Sequence, residues 1–214
     1  MYLTRLLKNN NFIILFFTSF LGLWFIVPDW SLNIICLSFT NSLVVLSLLV
    51  LMRAGLMSFG QGLYYCLGGY TVAMSYNFLN IDEAILLIIF SLVIGFLVSF
   101  LIGFFVRNFR GIFFAMLNLA FSMILFGIIV KTIFLGSTDG FGIKEVTYFG
   151  LENIESNRLN ILSYSFIVSI CTLAIAFVIK YLNSPIGRMI DAIKENEIRA
   201  SYLGIEVNRQ VHKL

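Results

Sequence analysis

Charge is what this sequence has least of. Of its 214 residues only 12% are charged, against 60% hydrophobic, and phenylalanine alone occurs 23 times. A soluble domain carries roughly twice that charge. A water-soluble fold of this length could not hide so much apolar surface, so lipid is the solvent for most of the chain. With only two prolines, long stretches run free of helix breakers. The three cysteines, Cys36, Cys66 and Cys171, sit in apolar stretches without CxxC spacing. That excludes a paired-cysteine metal or redox motif and leaves them as small packing residues. His212 is the one histidine and has no Cys or His nearby in sequence, so no metal site is expected. No Ser/His or Cys/His cluster nominates a catalytic residue. No GxxxxGK-S/T loop is present, so the chain cannot itself be an ATPase and needs no cofactor of its own. A net charge of +3 is too small to argue for nucleic acid.

What is there is a series of apolar runs. A helix needs about 20 apolar residues to cross a bilayer, and six windows meet or approach that length: Phe12–Val27, Leu32–Met52, Gly55–Leu79, Ala84–Val106, Gly111–Leu135 and Ile161–Leu182. Arg5 and Lys8 precede the first, but no small-residue cleavage site follows, so it reads as an uncleaved helix. With the N-terminus inside, Arg5, Lys8, Arg53, Arg107, Arg110, Lys180, Arg188, Lys194, Arg199, Arg209 and Lys213 all fall on the inner side. The outer side holds Lys144 and Arg158, with Lys131 near the end of a span, and the acids Asp29, Asp82, Glu83, Asp139, Glu145, Glu152 and Glu155. Short loops retain basic residues on the cytoplasmic side, so this skew sets the orientation. Omitting the Gly55–Leu79 crossing would put Arg107 and Arg110 outside. Lys131 lies one turn from a span end, where a lysine snorkels to the interface. No pair of membrane-embedded carboxylates points to a proton relay. The expected fold is an all-α, polytopic transmembrane helical bundle of about six spans, N-terminus cytoplasmic. Residues 1–182 would be the membrane region and 183–214 a cytosolic segment.

Within the bilayer, Gly55, Ser58, Gly62, Cys66, Gly69 and Ala73 recur at intervals of three or four. On one helix they would form a small-residue stripe along which backbones approach closely. Alternatively, Gly60-Gln61-Gly62 breaks the helix, which membrane depth tolerates only where the backbone is buried or lines a cavity. Gly95, Ser99 and Gly103 repeat the small-residue pattern as packing. Asn118 and Ser122 continue the face of Gly111 and Ala115, and Asn41 places a second amide mid-membrane. An interhelical hydrogen bond and a substrate-path contact both account for them. The candidate path or gating residues are Asn41, Ser58, Gly60, Gln61, Gly62, Gly69, Asn118 and Ser122. The loop Gly136–Asn160 begins GSTDGFGI, rich in turn formers, and reads as a solvated connector or an external docking surface.

SPIGRMIDAIKENEIRASYLG, Ser184–Gly204, has explicit helix ends: Ser184 to N-cap, Pro185 at the first helical position, Gly204 at the C-cap. Ile186, Met189, Ile190, Ile193, Ala200 and Leu203 share one face. Glu195 and Arg199 are spaced as an i,i+4 pair. A helix lying on lipid is rich in Lys and Arg on its polar face. This one alternates sign, which favours a protein partner.

Three segments, Gly55–Met74, Gly111–Ile143 and Ser184–Ile205, resemble the LivM-type permease subunits of ATP-driven branched-chain amino acid importers. That family carries a GLLSxGxxxFxxxGAY-like helix, a GxYFAMxTLAF-like helix, a GGSDG-like outer loop and a cytosolic SPxGRAxxAIRENExxAxxLGI-like segment. Here GR, AI, ENE, RA and LGI stand in register. Gln61 replaces a common histidine, Cys66-Leu67-Gly68-Gly69 is looser than the family pattern, and Asn118 replaces a usual threonine. The resemblance implies a bacterial plasma (inner) membrane permease. It would work with cytosolic ATPase subunits holding ATP and Mg, a second permease subunit and an extracytoplasmic substrate-binding protein, with further spans after Leu214. The tail would be the coupling segment, with Arg188, Ile193, Glu195, Glu197, Arg199 and Gly204 as its contact residues. A same-family permease for urea or amides, sugars or nucleosides, and a non-conducting structural subunit, are the alternative expectations.

Overall fold

The structure is a computed structural model that describes residues 28–137, 139–143, 146–148 and 156–212. The Phe12–Val27 crossing, Arg5, Lys8, Lys213 and most of the acids and bases expected in the Gly136–Asn160 loop lie outside the described residues. Among the described residues eight α-helices follow in order: α1 (Asp29–Arg53), α2 (Gln61–Leu79), α3 (Ala84–Val106), α4 (Gly111–Lys131), α5 (Ser156–Asn183), α6 (Pro185–Glu195), α7 (Glu197–Tyr202) and α8 (Val207–His212). A single 3₁₀ turn, Ile133–Leu135, follows α4. Among the described residues the only extended pairing is one bridge between Glu83 and Thr147.

Among the described residues four helices are long and apolar enough to cross a membrane: Ser31–Arg53, Ala84–Val106, Gly111–Lys131 and Asn160–Asn183. The protein is a multi-pass membrane bundle. Its large apolar side chains stay on the surface, as in α3, where Leu92 is 66% and Phe96 69% exposed. Hydroxyls within the helices satisfy themselves locally. Ser38, Thr71, Ser91 and Thr172 each donate to a carbonyl three or four residues back, because hydrocarbon offers no other partner.

The expected Gly55–Leu79 crossing is the main correction. Its helix begins only at Gln61 and runs 19 residues, about 28 Å at 1.5 Å per residue. It carries too many polar and small residues to join the four. Before it, Ala54–Gly60 is non-helical: Ala54, Leu56, Ser58 and Gly60 are buried while Met57 and Phe59 are exposed. That alternation is the period of a strand. Gly55 has φ +75 and ends α1. The stripe of small residues from Gly55 to Ala73 therefore does not exist as one face.

The helix ends alternate between two poles. Arg53, Arg107, Arg110 and Lys180 gather at one, here called the basic end; Asp82, Glu83, Lys131 and Asp139 lie at the other. At that other end Phe78 stacks on Phe134 at 4.8 Å and meets Phe141 edge-on at 5.9 Å. Two apolar clusters hold the bundle. Leu32 and Phe39 of α1 pack on Tyr164, Val168 and Cys171 of α5, so Cys171 is the packing residue its surroundings implied. Ala54, Leu56, Val106, Phe114, Ile190 and Val211 form the second, at the basic end. It joins α3, α4 and the non-helical segment to the tail.

Candidate functional site

The break before α2 is seated against α4. A Cβ on Gly60 would stand 2.8 Å from the Asn118 carbonyl oxygen and 2.9 Å from Asn118 Cβ, so only glycine fits. Asn118 is seven residues into α4, about 10 Å from its start. Non-helical backbone thus lies well inside the bundle, buried as membrane depth requires. Ser58 Oγ accepts from the Gly60 N–H at 3.2 Å and holds the turn into α2.

Beside this junction is a cavity of about 900 Å³, within the size range of small-molecule sites, whose wall is mostly apolar. Phe96, Phe100, Phe114, Val50 and Phe177 supply that wall; Ser47, Ser58, Gln61, Tyr64, Ser99 and Asn118 supply hydroxyls and amides. From Phe96 to Val106 is about 15 Å of helix, so the cavity reaches from the basic end about halfway across a 30 Å hydrocarbon core. Ser47 Oγ lies 2.7 Å from the Val44 carbonyl and 3.0 Å from Gln61 Oε1. One hydroxyl proton is shared between two acceptors, which leaves the Gln61 amide loosely held. Asn118 Nδ2 donates to the Phe114 carbonyl at 2.9 Å. That bond is within its own helix, in place of the interhelical one expected. The basic end of the cavity carries Arg107, Tyr181, Val211 and His212. Arg107 Nε, Tyr181 Oη and His212 Nδ1 are buried without a hydrogen-bond partner.

Of the residues expected on a path, Ser58, Gln61 and Asn118 line this cavity, and Gly60 shapes it. Ser122 lies one turn beyond Asn118, outside the lining, and Asn41 is exposed on α1. Gly62 and Gly69 are exposed, with no described residue within 4 Å of an added Cβ. Ser47, Tyr64 and Ser99 line the cavity too. Ser99 had read as packing, and Ser47 carried no signal beyond being a hydroxyl in an apolar run. Within its packing triad, Gly103 meets His212, with a Cβ falling 3.0 Å from Nδ1, while Gly95 faces open space.

The tail is built from caps. Ser184 Oγ accepts from the Gly187 N–H at 3.4 Å with Pro185 in the first turn, and Gly204 takes φ +82 while Ile205 N–H reaches the Ala200 carbonyl at 3.2 Å. Both ends are as the sequence implied, but the span between is two helices. Asn196 is extended, φ −163, and its side chain accepts from the Arg199 N–H at 2.9 Å, capping α7. Glu195 and Arg199 therefore do not share a helix and make no ion pair.

Ile190, Ile193 and Ala200 are buried, so most of the tail's apolar face packs on the bundle itself, with Leu203 left out. The physical reason is the basic-end cluster, where burying each large side chain contributes about 1.5–3 kcal/mol. Two ion pairs flank it. Arg53 Nε meets Asp191 at 3.0 Å and Arg110 Nε meets Glu197 at 2.8 Å, with side chains a quarter to nearly half exposed. Partly exposed pairs contribute about 0–1 kcal/mol, so the cluster holds the tail and the ion pairs orient it. Arg188, Lys194, Glu195 and Arg199 remain exposed, as do Ile198, Tyr202 and Leu203, at 66%, 86% and 79%.

Among the described residues no three His, Cys, Asp or Glu side chains gather as a metal site. Residues 31–212 match a family model described as branched-chain amino acid transport system / permease component. No curated protein and no solved structure matches the chain significantly.

Proposed function

Because this chain belongs to the family of permease components of branched-chain amino acid transport systems, we propose that it is a membrane subunit of an ATP-driven importer of aliphatic amino acids. As a permease component it is not itself an enzyme. It would sit in the bacterial plasma membrane with a second permease subunit, take solute from an external binding protein, and be driven by cytosolic ATPases carrying ATP and Mg. The observation that carries this reading is the tail: a capped, surface-exposed pair of helices fixed to the same end of the bundle as the half-depth cavity. The cavity supports the solute class. Aromatic and aliphatic walls suit a branched aliphatic side chain, and Ser58, Gln61 and Asn118 supply polar contacts that fix orientation. The exposed Ile198, Tyr202 and Leu203, flanked by Arg188, Glu195 and Arg199, form the surface offered to the ATPase. An apolar centre with a charged rim is the usual anatomy of such contacts.

The test is co-purification of ATPase subunits and a second permease from the source membrane, then ATP-driven uptake of tritiated leucine in proteoliposomes. Uptake competed by isoleucine and valine is the expected result. ATPase association with uptake of urea, a sugar or a nucleoside instead would reassign the cargo. No associated ATPase would leave a non-conducting structural subunit.

A further inference from the structure

Both arginines that hold the tail stand on helices whose adjacent turns line the cavity. Arg53 closes α1, and Ser47, Val50 and Leu51 lie within the two turns before it on the cavity wall. Arg110 stands just before α4, and Phe114 and Asn118 follow one and two turns later on the wall. On the tail side, Arg53 pairs with Asp191 of α6. Arg110 pairs with Glu197 of α7 through Nε, and a further nitrogen donates to Asn208 Oδ1 of α8 at 2.7 Å. Two guanidinium groups thus connect all three tail helices to two cavity walls. Arg110 also donates to the backbone carbonyls of Arg107 and Phe109, so its planar fork is anchored in the loop between α3 and α4.

We infer that Arg53 and Arg110 are positioning residues that transmit displacement of the tail to the walls of the cavity. The inference rests on the importer reading above and adds the route by which the ATPase state reaches the solute path. Apolar contacts between tail and bundle are non-directional and tolerate sliding. Charge-assisted hydrogen bonds fix direction and register. A pull on Glu197 or Asn208 therefore acts on the α3–α4 loop and the start of α4, and a pull on Asp191 acts on the end of α1. A rigid helix carries the displacement one or two turns to the cavity.

The experiment uses the chain in lipid nanodiscs with the ATPase that co-purifies with it. Cys36, Cys66 and Cys171 are replaced by serine, and Ser99→Cys reports from the cavity wall. Maleimide labelling rates are compared between the nucleotide-free and the vanadate-trapped complex. With native arginines the two rates should differ about fivefold or more, the lower end of ordinary coupling between sites. Arg53→Gln and Arg110→Gln should each keep ATPase association while bringing the ratio towards one. Arg53→Asp should do the same, and adding Asp191→Arg should restore the ratio. An unchanged ratio in both Gln variants, or no nucleotide dependence with the native arginines, overturns the inference. So does loss of the ATPase in the Gln variants without recovery in the exchanged pair, since the arginines would then build the docking surface. Failure of the importer reading shows earlier and separately, as the absence of any co-purifying ATPase.

Discussion

Gly60 and Gly62 stand two residues apart in the same glycine-rich cluster, yet the structure gives them opposite constraints. A methyl group on Gly60 would press into the backbone and Cβ of Asn118, neither of which is a flexible end that can yield. Overpacking of that kind costs about 1–3 kcal/mol. Gly62 has open space and occupies the first turn of α2, where alanine is favoured over glycine by about 0.5–1 kcal/mol. Gly60→Ala should therefore lower the thermal midpoint of the purified chain in detergent, and Gly62→Ala should leave it unchanged or raise it. Equal loss in both variants would show that the cluster matters only as a flexible hinge. The sequence offered a break at Gly60-Gln61-Gly62 only as the alternative to one continuous helix from Gly55, and the non-helical stretch lies just before that cluster, between Arg53 and Gln61. It did not expose which glycine makes the contact. Helical spacing says which residues share a face and is silent on what lies opposite. Asn118 shows the same limit from the other side. Its burial in the wall followed from its register, but its amide bonds to its own helix, a choice that spacing cannot distinguish from a bond across to a neighbour.

At the scale of elements, the tail had both of its ends legible and its middle hidden. Ser-Pro and Gly are strong punctuation, and both stand where they were expected. Asn196 is weak punctuation. It lies in a run of polar helix formers, and the residue three positions on is Arg199, where a capping box would have Glu or Gln. Ile193 and Ala200 are seven residues apart and would share a face on one straight helix, so their burial gives no sign of the break, which only the extended backbone of Asn196 shows. Asn196→Ala removes the acceptor for the Arg199 N–H and should destabilise α7 by about 0.5–2 kcal/mol. Amide hydrogen exchange across Glu197–Tyr202 should quicken while Pro185–Glu195 is unaffected. Slower exchange from Glu195 to Arg199 would mean that the two helices fuse once the cap is gone, and that Asn196 is a breaker more than a cap. Gly204→Val acts at the other end of α7. A left-handed backbone costs a residue with a Cβ about 1–2 kcal/mol, so the Ile205–Ala200 closure should loosen and protease cleavage after Leu203 or Ile205 should rise.

For the molecule as a whole, four of the expected crossings appear as spanning helices and a fifth as the shorter α2. The charge pattern had implied that these segments alternate direction. The structure bears on this through contacts that owe nothing to charge counting. Val106 at the end of α3, Phe114 near the start of α4 and Ile190 in the tail share one cluster, so three segments that the basic-residue skew assigned to one side do meet at one end. Which side of the bilayer that end faces follows from where cells retain positive charge. Asn80, Asn108 and Asn196 are exposed and divide between the two ends: Asn80 caps α2 at the end opposite the basic one, while Asn108 lies in the α3–α4 loop and Asn196 in the tail. Single cysteines at these positions, in a chain with Cys36, Cys66 and Cys171 replaced, should separate cleanly with a membrane-impermeant thiol reagent on intact cells. Asn80→Cys should label from outside, and Asn108→Cys and Asn196→Cys only after permeabilisation. The reverse pattern would place the tail outside, where no ATP-hydrolysing partner could reach it, and would end the importer reading along with the orientation. Labelling of all three from outside would instead mean that α3 does not cross. That outcome is the hardest to reconcile with a 23-residue helix holding an 18-residue stretch of mean hydropathy 3.1.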